Sequence, residues 1–212
     1  MSSKNFSVGI AFFKTEVLQS LLLGVLLFNQ DVSLTGIAAI LVTSIGMILM
    51  SNISLTKKTG LDKGAFFGAL SGLAFSISAF GIKFGTEEMK LLGYSNVEAG
   101  ITDLCFVVFF QNLFFITIKS LQNRLRKDLL SMIATENKLS FLKMSILSLI
   151  GSIFWFIAFA IGNVIYVKAV GQIELVIAVL ISLHLGEKHS KREFAGIAIT
   201  AFGILTLILS QI

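Results

Sequence analysis

Seven stretches of this chain are long and apolar enough to be read as crossing a lipid bilayer, and that pattern limits the fold more than any other feature of the sequence. They run from about Phe6 to Phe28, Leu34 to Met50, Gly64 to Phe84, Val97 to Ile118, Phe141 to Ile161, Val164 to Leu185 and Phe194 to Leu209. A helix needs ~20 residues to traverse the hydrocarbon. Lipid offers a backbone amide no partner, so a spanning segment must be a helix or part of a closed barrel. Barrel strands alternate in polarity and are much shorter, whereas these blocks are continuously apolar. The expected fold is therefore all-α, a polytopic transmembrane bundle of about seven spans.

Composition narrows the function classes. Charged residues are 14% of the chain, against ~25% in a typical soluble domain, too few to coat a water-soluble globule. The formal charge of +5 falls between the apolar blocks, where cations orient helices against a membrane, so the expected partner is the lipid bilayer and not nucleic acid. A single cysteine, Cys105, excludes an intramolecular disulfide and any multi-cysteine metal site. His184 and His189 lie five residues apart with no third ligand. No Walker motif, nucleophile elbow or metal-binding histidine pair is present. Neither a metal, nor a cofactor, nor enzyme activity is expected. The first block carries Lys14 and Glu16 and lacks a small-residue cleavage site after a short core, so no cleavable signal peptide is expected.

Most connections are short. Asn29-Gln30-Asp31 joins the first two blocks, and Gly162-Asn163 marks a tight turn between the fifth and sixth. The exception is Lys119 to Ser140, whose Leu121, Leu125, Leu129, Met132 and Ile133 recur at helical spacing. It reads as an amphipathic helix on the membrane surface or as a solvated basic loop. Lys4, Lys57, Lys58, Lys63, the cations from Lys119 to Lys143, Lys188, Lys191 and Arg192 fall on one side, and only Lys83 and Lys90 on the other. This bias places the N-terminus and the basic loops in the cytoplasm, and an odd span count puts the C-terminus outside. Gly64, Gly68 and Gly72, extended by Ser76, form a stripe of small residues at spacing four. Such stripes let helix backbones approach closely, within the bundle or, on a sharper reading, across a homodimer.

Residues 8–52 and 166–210 are alike. Aligning Glu16 with Glu174, with a two-residue gap in the loop, brings Gly36 onto Gly196. Each copy is a long span with a mid-membrane glutamate, a short polar loop and a shorter span opening on Gly-Ile-Ala.

The stretch 162–210, with Leu185-Gly186-Glu187, a polar turn and then Gly196, resembles the last two helices of the EamA-type repeat of the drug/metabolite transporter superfamily. Residues 64–161 are similar to the first three helices of that repeat in length and order. Residues 6–50 resemble the last two helices of a preceding repeat, with Leu27-Phe28-Asn29 in place of Leu-Gly-Glu. The resemblance implies three parts: 1–52 as the end of a first repeat, 53–63 as a basic linker, and 64–212 as a complete five-helix second repeat. The family usually has ten helices, so the resemblance also implies that three N-terminal ones are missing. A proline is frequent in the family's penultimate helix, where this chain has Gln172-Ile173-Glu174-Leu175.

Ionisable residues at membrane depth are costly and usually face a bundle interior or a watery cavity. Lys14, Glu16, Lys168 and Glu174 lie near the middle thirds of spans, and Asp103 lies somewhat nearer an end. In transporters built from repeats, matching helices flank a midplane site. Glu16 and Glu174 are thus the first candidates for a substrate pathway, with the proton as a candidate coupling ion. Residues three or four apart share a helix face, so Glu16, Gln19 and Ser20 face one way and Lys14 another. Lys168 and Gln172 share a face that Glu174 does not. A cross-helix pairing of Lys14 with Glu174, or of Lys168 with Glu16, stays open, either as pathway chemistry or as a structural lock. Trp155 sits mid-span, away from the interfaces where tryptophan collects, to stack on a ligand or to pack the core. Gln111, Asn112 and Asn163 are weaker candidates, because an amide in a bundle more often bonds a neighbouring helix.

The expected function is a permease in the cell membrane of a bacterium. By resemblance it moves an amino acid, metabolite or drug-like compound by alternating access, driven by a gradient without ATP. The competing expectation is a non-transporting membrane subunit, or a remnant that needs a partner to complete its bundle.

Overall fold

The computed structural model describes residues 12–50, 63–121, 138–186 and 190–210. Among them every regular element is α-helical: α1 (Glu16–Leu26), α2 (Leu34–Met50), α3 (Lys63–Leu91), α4 (Asn96–Leu121), α5 (Lys138–Ile161), α6 (Val164–Gly171), α7 (Ile173–His184) and α8 (Lys191–Leu209). Most of the 53–63 linker, the 122–137 part of the surface segment, Glu187 and His189 lie outside the described residues.

Five helical stretches are long and apolar enough to cross a membrane: Gly64–Leu91, Asn96–Ser120, Lys138–Ile161, Val164–His184 and Lys191–Leu209. The other two blocks form shorter apolar helices, α1 of 11 residues and α2 of 17. A 17-residue helix rises about 25 Å at 1.5 Å per residue, short of the ~30 Å of hydrocarbon. The first block is interrupted by a turn at Lys14-Thr15, ahead of α1. Large apolar side chains such as Phe109, Phe110, Phe114, Leu147 and Phe154 stand more than half exposed. A water-soluble monomer does not display apolar surface on this scale, and lipid accommodates it without cost.

Local chemistry accounts for the helix ends. α3 runs beyond Phe84 because Lys83 and Lys90 both bridge Glu87, at 2.8 and 2.7 Å, stitching two polar turns onto an apolar helix. It stops at Gly93, whose φ of +95° is the left-handed conformation that ends helices and suits glycine. α6 starts at the Gly162-Asn163 turn, where the Asn163 side chain accepts from Ile165 N at 2.9 Å. α8 opens with a reciprocal capping box between Ser190 and Glu193. Both copies of the internal repeat leave their long helix through a left-handed residue, Asn29 (φ 46°) and Gly186 (φ 82°).

The chain divides into two compact units, one holding the residues up to Gly81 and from Gly162 onward, the other Ile82–Ile161. The boundary falls inside α3. In the first unit the most extensive packing is between α2 and α8. A Cβ added to Gly46 would stand 2.6 Å from Thr200 N, one on Gly203 2.7 Å from Thr43 N, and one on Gly196 2.8 Å from Met50 N. Partner numbers fall along α8 as they rise along α2, so the two helices are antiparallel and cross backbone to backbone. Thr43 and Gly203 coincide in the register that aligns Gly36 with Gly196, so equivalent positions of the two repeats meet at this crossing. The Gly64–Ser76 stripe is buried. At its far end a Cβ on Gly72 would lie 2.9 Å from the Phe13 carbonyl, and Ser76 Oγ donates to the Glu16 carbonyl at 2.9 Å. These residues of the stripe make contacts within the chain. In the second unit α4 packs on α5, with Gly100 close against the Ile157 backbone.

Candidate functional site

A turn ahead of α1 and an interruption between α6 and α7, both in the first unit, bring the candidate residues together. The stretch Val164–His184 breaks at Gln172, between α6 and α7. The first block breaks at Lys14-Thr15, where Thr15 Oγ1 donates to the Phe12 carbonyl at 2.6 Å before α1 begins. With Glu16 aligned on Glu174, Lys14 falls on Gln172. The two breaks therefore occupy equivalent positions.

Around them α1 and α6–α7 pair in antiparallel register. Lys14 Nζ meets Glu174 Oε1 at 3.1 Å. Lys168 Nζ meets Glu16 Oε2 at 3.3 Å, and Gln172 Nε2 donates to Glu16 Oε1 at 3.2 Å and to the Lys168 carbonyl at 3.3 Å. The Lys14–Glu174 and Gln172–Glu16 contacts are counterparts under the repeat alignment.

The two ion pairs differ in their surroundings. The side chains of Lys168 and Glu16 are 1% and 5% exposed, whereas Glu174 is 58% exposed. Removing two charges from water costs several kcal/mol per ion, which only close pairing and further hydrogen bonds repay. Here the repayment comes from the pair itself, the Gln172 amide and the Phe75 ring, whose centroid lies 4.2 Å from Lys168 Nζ. Both pairs are longer than the ~2.7–2.9 Å of a tight charge-assisted hydrogen bond.

Gln19 also belongs to this neighbourhood. Its Nε2 donates to Thr15 Oγ1 at 3.1 Å and to the Ala69 carbonyl at 3.2 Å. The side-chain oxygens of Gln19 and Gln172 are buried and accept from no protein group. A buried acceptor left unmet costs ~1–3 kcal/mol, so the site holds two oxygens suited to a donor.

Trp155 lies in the other unit, half-buried, with its ring 5.4 Å from that of Phe159. Asn112 bonds the Val108 carbonyl of its own helix at 2.8 Å, and Asn163 serves as the α6 cap. Sequence reasoning missed Phe75 beneath Lys168 and the break at Gln172. Phase along α3 offered a signal for the first: Phe75 neighbours the Gly72–Ser76 stripe. No glycine-proline signal marked the second beyond Gly171.

No family model, curated protein or solved structure matches the chain.

Proposed function

We propose that the chain is a membrane permease moving a small organic solute by alternating access, with the Glu16–Lys168–Gln172 and Lys14–Glu174 groups lining the pathway. One observation carries this reading: two antiparallel stretches turn at repeat-equivalent positions, and lysine, glutamate and amide side chains of both collect at the turns. Interrupted helices with polar groups near the bilayer midplane are how repeat-built transporters form their sites. The unmet oxygens of Gln19 and Gln172 favour a solute that carries hydrogen-bond donors. The sequence resemblance supports an EamA-type member of the drug/metabolite transporter superfamily, with amino acids, metabolites or drug-like compounds as solutes. The charge bias supports cytoplasmic basic loops.

A second reading rests on the near-complete burial of Lys168 and Glu16: the inner pair locks the bundle and the protein transports nothing. Solute flux in proteoliposomes separates the two. Wild type, Glu16→Gln and Glu174→Gln are compared over a panel of amino acids and metabolites, with and without a pH gradient. Flux in wild type that both variants lose supports the permease. A folded, inserted wild type that moves no solute of the panel refutes it and leaves the lock.

A further inference from the structure

The two glutamates singled out by the repeat each hold a lysine. A different acidic group has none. Asp103 lies two turns into α4, within the membrane-length stretch Asn96–Ser120, and is 7% exposed. It is seated on Gly85 of α3: a Cβ there would fall 2.8 Å from Asp103 Cγ and 3.0 Å from Oδ2. Glycine thus supplies the space that the carboxyl fills. Buried Oδ2 accepts from no protein group, and the ion pairs of the described residues leave Asp103 out.

The lysines on the elements packed here are engaged elsewhere or stand far along their helices, Lys63 at the start of α3 and Lys119 at the end of α4. From α3, Lys83 and Lys90 are held on Glu87 and on the Ala160 carbonyl, at 3.5 and 3.1 Å. Glu88 follows on the same polar turns. On α4, Glu98 caps its own helix by accepting from Ser95 N at 2.9 Å, and Cys105 is exposed. α5 runs antiparallel to α4, with Gly100 on Ile157. Asp103 is thus level with about residue 154 of α5, which puts Lys143, eleven residues earlier, about 16 Å away along the helix, and Lys138 farther still.

A carboxylate this deeply buried, with no cation or donor beside it, bears much of the desolvation cost of its charge. A bound proton removes that charge and supplies a hydroxyl donor in its place. We infer that Asp103 is a proton-binding site of this protein, separate from the two lysine–glutamate pairs. The cation assigned to Asp103 is the proton: no group of three His, Cys, Asp or Glu side chains suited to a metal is found among the described residues. The inference does not depend on transport. If the chain does carry a solute, Asp103 is where a proton gradient acts.

The test is chemical labelling of the full chain in lipid vesicles with dicyclohexylcarbodiimide, an apolar reagent that adds to protonated carboxyls, followed by peptide mass mapping. Asp103 is expected to carry the adduct in preference to Glu16. Its labelling is expected to fall about tenfold across the ~2 pH units of a one-site titration. Asp103→Asn, which keeps the shape, abolishes it. Failure of Asp103 to label at any pH while the reagent modifies other carboxyls overturns the inference, as does pH-independent labelling or equal labelling of Glu16. The wild-type result stands alone if the variant does not fold. It also reads the same in a chain that moves no solute, so failure here and failure of the permease reading are told apart.

Discussion

Replacing Lys168 with methionine probes the inner ion pair by removing the ammonium and keeping an unbranched side chain one heavy atom shorter. At 3.3 Å the attraction between Lys168 and Glu16 amounts to about 5 kcal/mol at an effective dielectric of ~20. The substitution forfeits that attraction and the contact with the Phe75 ring, and recovers the desolvation of the ammonium. What remains is a carboxylate 5% exposed, with the Gln172 amide as its donor. Removing one member of a buried pair costs ~3–5 kcal/mol. The surviving amide sets the expectation at the low end, about 3 kcal/mol. Lys168→Met combined with Glu16→Gln removes both charges and is expected to return to within about 1 kcal/mol of wild type, since paired apolar or neutral replacements are often tolerated. The assay is reversible unfolding in mixed detergent micelles, followed by circular dichroism as a double-mutant cycle. A single variant within about 1 kcal/mol of wild type, or a double variant no better than the single, would refute the reasoning.

Other expectations follow from the packing. Gly203→Ala is expected to cost ~1–3 kcal/mol in the same assay, because its methyl would lie 2.7 Å from Thr43 N. Gly81→Ala has nothing within 4 Å and is expected to stabilise α3 by up to about 1 kcal/mol, so the two changes should differ in sign. Ser190→Ala removes the acceptor for Glu193 N at 3.2 Å and is expected to cost ~0.5–2 kcal/mol, read as earlier loss of helicity on heating.

How much of this was legible in the sequence depended on whether the controlling force was local. Hydropathy alone located α2 at Leu34–Met50, the end of α5 at Ile161 and the start of α6 at Val164, because an apolar run ends where lipid ends. It stopped α3 too early: Glu87, Glu88 and Lys90 read as loop, yet their i,i+3 and i,i+4 pairs carry the helix on to Leu91. Helix phase separated Lys14 from Glu16 and Lys168 from Glu174, and so allowed both cross-helix pairs. Which pair would be sealed and which open depends on what α3 lays over them, and spacing within one helix does not contain that. Asp103 was visible as an acid within a span. Its isolation became visible only once Gly85 and the lysines of α3 were placed around it.

The antiparallel crossing of α2 and α8 has a consequence for the turns that precede them. If two similar segments cross a bilayer in opposite senses, the loop leading into one must open to the compartment that the other's loop avoids. The loops differ accordingly. Asn29-Gln30-Asp31-Val32-Ser33, before α2, has no cation, whereas Lys188 precedes α8 and Lys191 and Arg192 open it. Copies so alike in their apolar cores would have no reason to choose opposite directions of insertion. Their connecting turns supply one, as a difference in charge that a membrane potential and anionic lipid can read.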